Sequence, residues 1–67
     1  MKIILNNREE EFDKKEMTVR ELLTEKNFTF KMLVIKINNK LVRKENYEST
    51  AIAEGDNVSV IHLISGG

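Results

Sequence analysis

The chain has 67 residues, 40% of them hydrophobic, with 11 basic and 11 acidic side chains and a formal net charge of zero. That length allows one domain, near the lower limit of what folds alone. The absence of cysteine excludes disulfides, thiolate zinc sites and a cysteine nucleophile, and the single histidine, His62, cannot form a cluster or a triad.

In chain order, residues 1–5 read as a strand, with Ile3, Ile4 and Leu5 as β-formers that lack helical spacing. Asn6-Asn7 is a turn signal, and residues 8–12 predict the returning strand of a hairpin. The Glu9-Glu10-Glu11 run suits an exposed sheet edge, where charge discourages further pairing. A helix start follows. Thr18 fits the N-cap and Glu21 stands three residues on, the spacing of a capping box; Met17 and Leu22 fit a hydrophobic staple. Val19, Leu22 and Leu23 form one apolar stripe, Lys26 suits the negative end of the helix dipole, and Asn27 closes the helix. Residues 28–32 read as a connection that becomes a strand near Met32 or Leu33. Residues 33–37 form a strand with Leu33, Ile35 and Ile37 on one face. Asn38-Asn39-Lys40 is a tight turn, residues 41–43 a short returning strand, and residues 44–48 one helical turn anchored by Tyr47. Glu54-Gly55-Asp56-Asn57 is a turn whose glycine takes positive φ, and the last strand spans residues 58–63.

The class is therefore α+β: a mixed sheet of four to five strands with one main helix packed on one face. A right-handed crossover through the helix places the first and last strands side by side and parallel in the sheet centre. Side-chain alternation puts Ile3, Leu5, Leu33, Ile35, Ile37, Val58 and Val60 in the core. It leaves Ile4, Val34, Ile61 and Leu63, with Lys36 among them, on a face that no element covers. Such an aliphatic patch is a candidate partner-binding surface. His62 shares the core-side parity and reads as a fringe residue rather than a base, since a lone histidine has no visible partner. Lys31, Lys36, Lys40, Arg43 and Lys44 read as a solvated face that would also suit an acidic partner.

The chain closes on His62-Leu63-Ile64-Ser65-Gly66-Gly67. Without Cβ atoms, Gly66 and Gly67 permit close backbone approach, so residues 65–67 are expected to be a free tail on a domain of residues 1–64. Such a tail can enter a narrow channel and present its carboxylate at Gly67 to another protein's active site, with Ile64 and Ser65 setting the reach. Taken together, these features resemble the ubiquitin-like β-grasp family. Within it the chain is similar to the ThiS group of bacterial sulfur carriers over its whole length. The matching pieces are residues 3–6, the Thr18-Val19-Arg20-Glu21-Leu22-Leu23 helix start and Ile37-Asn38-Asn39-Lys40-Leu41-Val42. Lys44-Glu45-Asn46-Tyr47, Glu54-Gly55-Asp56-Asn57-Val58 and the Gly66-Gly67 end complete the set. The sequence departs from the family where it usually has Val-Pro-Arg followed by Trp: Arg43 stands at the Pro position, Lys44 at the Arg and Tyr47 at the Trp.

The resemblance implies a carrier rather than an enzyme. A ThiF-like partner, using ATP and magnesium, would adenylate the Gly67 carboxylate. The acyl-adenylate would become a thiocarboxylate with sulfur drawn from cysteine through a desulfurase, and a ThiG-like thiazole synthase would accept that sulfur. No bound cofactor or metal is expected. The balanced charge argues against nucleic acid. The short apolar runs argue against a membrane span, and the N-terminus has no signal core, which leaves the cytoplasm as the expected compartment. Two other readings of a Gly-Gly end stay open, a MoaD-like small subunit of molybdopterin synthase and a ubiquitin-like protein modifier.

Overall fold

The computed structural model describes residues 1–29 and 32–63. In chain order the elements are β1 (Lys2–Leu5), β2 (Arg8–Glu11), β3 (Met17–Thr18), α1 (Val19–Glu25), β4 (Leu33–Ile37) and β5 (Lys40–Val42). A 3-10 turn (Lys44–Asn46), β6 (Ala51–Ile52) and β7 (Asn57–His62) follow. Five strands form one mixed sheet in the order β2-β1-β7-β4-β5, and β3 pairs with β6 in a separate two-stranded sheet.

Both hairpins close on asparagine pairs. Asn6 and Asn7 have φ of 50° and 68°, and Asn38 and Asn39 have φ of 51° and 69°. Left-handed geometry at both central positions is the type I′ turn, whose twist matches that of the flanking strands; asparagine tolerates it better than most side chains. The two-residue loops then fix the registers, Leu5 opposite Arg8 and Ile37 opposite Lys40.

The helix start is built as its sequence predicts. The Glu21 N–H donates to Thr18 Oγ1 at 3.1 Å, and the Thr18 N–H donates to Glu21 Oε1 at 2.8 Å. At the other end Asn27 takes φ of 59°. The Phe28 N–H donates to the Leu23 carbonyl at 2.8 Å and the Asn27 N–H to the Thr24 carbonyl at 3.1 Å, the paired bonds of a Schellman motif. Seven residues are too few to be helical alone, so α1 depends on burying Val19, Leu22 and Leu23 against the sheet.

In the sheet centre β1 runs parallel to β7, with Ile4 opposite Asn57 and Leu5 opposite Val58. That ladder is short. The Asn6 side chain continues it, its Oδ1 accepting from the Val60 N–H at 2.8 Å. The turn before β7 is tied on both sides. Gly55, at φ of 84°, donates its N–H to the Lys2 carbonyl at 2.8 Å. Asp56 accepts from the Ala53 N–H at 2.9 Å and from Asn38 Nδ2 at 3.1 Å, while Asn38 Oδ1 accepts from the Asn57 N–H at 2.9 Å.

One cluster makes the core. Ile3, Leu5, Ile35, Val42, Val58 and Val60 come from the sheet; Val19, Leu22 and Leu23 come from α1. Met17 and Ile52, fully buried, and Phe12 and Tyr47 complete it. Leu33 and Ile37 pack against it half-buried, on the face that alternation predicts.

The structure also corrects the sequence reading. The β3–β6 pair, Met17 opposite Ile52, has no sequence signal because two-residue strands show no periodicity. β2 ends at Glu11, one residue early, and the next residue, Phe12, is buried in the core. β5 begins at Lys40 and ends at Val42, so Arg43 lies outside it, and β7 runs from Asn57 to His62 rather than from 58 to 63. The turn predicted over residues 44–48 is a 3-10 turn limited to Lys44–Asn46, with Tyr47 buried beside it. Glu10 is not simply an edge charge: its carboxylate accepts from Lys26 Nζ at 3.1 Å, tying β2 to the end of α1. Within the predicted connection, residues 30 and 31 lie outside the described residues.

Candidate functional site

The strand registers decide which of the predicted surface residues meet. Val34 on β4 stands opposite Ile61 on β7, and Lys36 stands opposite Ser59. The Leu63 N–H donates to the Met32 carbonyl at 2.9 Å, which continues the β4–β7 ladder by one step. Val34, Ile61 and Leu63 therefore form one aliphatic group on the open face, with Lys36 in the next row. Ile61 and Leu63 are 46% and 45% exposed, and Val34 is half-buried.

Ile4 does not join them. It lies on the same face, but it stands opposite Asn57 and Glu9, four residues along β7 from Ile61. At strand rise that is roughly 13 Å, with the Ser59–Lys36 row between. Alternation places Ile4 on the correct face; register separates it from the cluster. Two residues that the sequence reading left out stand in its place. Leu41 lies opposite Lys36 and is 61% exposed, and Met32 is 48% exposed beside Leu63. The Leu41 position was available from sequence, since a two-residue turn at Asn38-Asn39 sets Lys36 against Leu41.

The β4–β7 ribbon extends beyond its neighbours. β1 pairs with β7 no further than Leu5 opposite Val58, and β5 pairs with β4 no further than Val42 opposite Ile35. The open-face cluster sits on this projecting end, and Leu63 is the last described residue upon it. The predicted tail residues Ile64, Ser65, Gly66 and Gly67 lie outside the described residues, as does Lys31. His62 stands opposite Leu33 with the parity of Val58 and Val60, yet it is exposed. The core-side position is thus at the sheet's end, past the cover that α1 provides.

Among the described residues no three His, Cys, Asp or Glu side chains come close enough to hold a metal ion. One titration is clearly displaced among the described residues, on the far side, at α1. There the bond from the Thr18 N–H, with the nearby Lys14 ammonium adding to it, holds the Glu21 carboxyl below its usual range. Lys36, Lys40, Arg43 and Lys44 are exposed along β4, β5 and the turn that follows. The Arg20 guanidinium lies over the Tyr47 ring at 5.5 Å from its centroid, the distance of a cation–π contact. No helix among the described residues is long and apolar enough to cross a membrane.

A five-stranded mixed sheet with its first and last strands parallel at the centre and one helix across one face defines a β-grasp protein. The model of the ThiS family matches residues 2–67, and the chain belongs to that family. The sulfur carrier protein ThiS of Bacillus subtilis is 24% identical over 63 residues, which cover 94% of this chain and 96% of that one. The thiazole synthase of Paramagnetospirillum magneticum is 31% identical over 67 residues, covering all of this chain but only 20% of that protein. The crystal structure of the thiamine biosynthesis protein ThiS from Geobacter metallireducens superposes with a TM-score of 0.89 at 22% identity over the full length of both chains, which fixes the fold.

Proposed function

We propose that this protein is a sulfur carrier of thiamine biosynthesis, working as a substrate of its partners rather than as an enzyme. The observation that carries the reading is the match of the ThiS family model from residue 2 through Gly67, the whole β-grasp domain together with the Gly66-Gly67 end. The similarity to a curated ThiS supports the thiamine pathway over the molybdopterin reading. The stretch of similarity within a thiazole synthase supports a ThiG-like acceptor.

The chemistry follows from the terminal carboxylate. A carboxylate resists substitution until one oxygen becomes part of a good leaving group. A ThiF-like partner, holding ATP and magnesium, would join the Gly67 carboxylate to the adenylyl phosphorus and release pyrophosphate. The persulfide that a desulfurase forms from cysteine would then displace AMP to give an acyl disulfide. A thiol reductant would cleave its S–S bond, leaving the thiocarboxylate on Gly67 and a new disulfide on the reductant's side. That thiocarboxylate would give its sulfur to the thiazole synthase. The mixed anhydride is exposed to hydrolysis unless water is excluded, so the tail must enter a closed pocket of the partner. Gly66 and Gly67 add no side chains to obstruct that entry, with Ser65 and Ile64 setting how far it reaches. The face bearing Val34, Lys36, Ile61 and Leu63 is the docking surface of this scheme, because it lies on the strand that leads into the tail. Ile4, two rows away with the Ser59–Lys36 row between, lies at the periphery of that surface. The compartment in this scheme is the cytoplasm.

Intact mass spectrometry tests the reading. After incubation with ATP, magnesium, a ThiF-like enzyme, a cysteine desulfurase, cysteine and a thiol reductant, the expected result is a gain equal to the sulfur-for-oxygen difference, located on Gly67. Gly66→Val is expected to stay folded and to lose that gain. An unchanged mass, with the same enzyme active on another carrier, would refute the proposal.

A further inference from the structure

β5 stops short of β4. Val42 stands opposite Ile35, and the chain then turns away, with the Arg43 carbonyl accepting from the Asn46 N–H at 2.8 Å. Leu33 and Val34 of β4 therefore have β7 on one side and, among the described residues, no strand on the other.

The direction of the backbone groups follows from two bonds. The Asn38 N–H donates to the Asn57 carbonyl, and the Met32 carbonyl accepts from the Leu63 N–H. Antiparallel bonding alternates, so the even-numbered residues of β4 bond to β7 and the odd-numbered ones turn toward β5. Ile37 and Ile35 meet Lys40 and Val42 there. Leu33 aims its N–H and C=O the same way, where, among the described residues, β5 no longer runs beside it.

The space beside it is a groove. Leu33 and Val34 line it from the sheet, Leu23 and Phe28 from the end of α1. Among the described residues its charged lining is of one sign: Arg20, Arg43 and Lys44 border it and no carboxylate does. None of these three cations belongs to an ion pair among the described residues, in a chain whose acidic and basic residues balance. The opposite edge of the sheet, β2, carries Glu9, Glu10 and Glu11.

We infer that this groove receives an extended segment of a partner protein, acidic and apolar in alternation, which adds to the sheet beside Leu33. The Leu33 backbone supplies strand pairing, the apolar walls take every second side chain, and Arg43 and Lys44 meet the carboxylates between them. The inference does not rest on the sulfur-carrier reading: it uses no residue of the tail, and of the open-face cluster it calls on Val34 alone.

The test uses the full chain, labelled with ¹⁵N, and a capped peptide in which glutamate alternates with valine. Saturable shifts are expected at the amides of Leu33, Val34 and Val42, with slowed hydrogen exchange at the Leu33 N–H. Reversing both cations (Arg43→Glu with Lys44→Glu) is expected to weaken binding about tenfold or more. The reversed variant should instead bind a lysine–valine peptide that the parent chain ignores. Both side chains are exposed, so an unchanged urea midpoint is the check on folding. Equal affinity for the two peptides, shifts confined to Ile61 and Leu63, or no saturation would each overturn the inference. So would concentration-dependent sedimentation of the chain without peptide, which would make a second copy the occupant.

Discussion

On β4, Ile35 has no exposed surface, while the residue before it, Val34, is only partly covered; on β7, Val60 is buried and Ile61 is 46% exposed. The same strands thus present two aliphatic faces with different surroundings. One face meets α1, the β3–β6 pair and Tyr47 and makes the core. The other meets no element among the described residues. An apolar face contributes to folding only where something covers it, since the driving force scales with area removed from water. A domain of 67 residues has a total stability of roughly 3 to 10 kcal/mol, so all of its stability must come from the covered side. The open aliphatic side chains are then left to contact a partner at small consequence for the fold.

Substitution on either side of one strand would show the contrast at its largest. Ile35→Ala is expected to cost about 2 to 5 kcal/mol, enough to leave the domain partly unfolded, read as the shift of a urea or thermal transition. A loss below about 1 kcal/mol would mean that the covered face is not the stability core. The next effect is at the entry to α1, the element that does the covering. Thr18→Ala removes half of the capping box and is expected to cost about 1 kcal/mol, again by urea unfolding.

The same box has an acid limit. Glu21 titrates below its ordinary value of 4.5 in the folded protein, chiefly because its carboxylate accepts from the Thr18 N–H. A depressed carboxylate stabilises the fold fully above its unfolded pKa and loses that contribution as pH falls through the folded value. The urea midpoint should therefore fall on acidification below about pH 5, and Glu21→Gln should remove that part of the slope. An identical slope in the variant would assign the acid loss to other groups. The smallest effect on stability belongs to the open face. Ile61→Ser is expected to change stability by less than about 0.5 kcal/mol while slowing activation by the adenylating partner. A large loss of stability there would break the distinction between the faces.

What was legible in the sequence was local. The asparagine turns, the Thr18–Glu21 box and Asn27 as the helix stop each depend on residues within a few positions of one another, and the structure places all of them as read. Side-chain alternation likewise assigned the faces, since it needs only the strand itself. What was not legible depends on registers set at a distance. The Met17–Ile52 pair joins segments far apart in the chain. The Asn6 side chain reaches Val60 across 54 positions. Alternation groups Ile4 with Ile61 because both point outward. The crossover predicts that β1 and β7 lie side by side, but the register between them, Ile4 opposite Asn57, is written in neither strand. Leu41 was missed for a smaller reason: the short strand after the asparagine turn begins one residue earlier than its apolar residues suggest. For the tail residues Ile64, Ser65, Gly66 and Gly67, sequence and family membership carry the reading.

The claim that the open face is the working face is tested most directly by hydrogen exchange of this chain with and without a ThiF-like adenylating enzyme. The account predicts slowed exchange at Val34, Lys36, Ile61 and Leu63, with α1 unchanged. Slowed exchange across α1, with the open face unaffected, would contradict it.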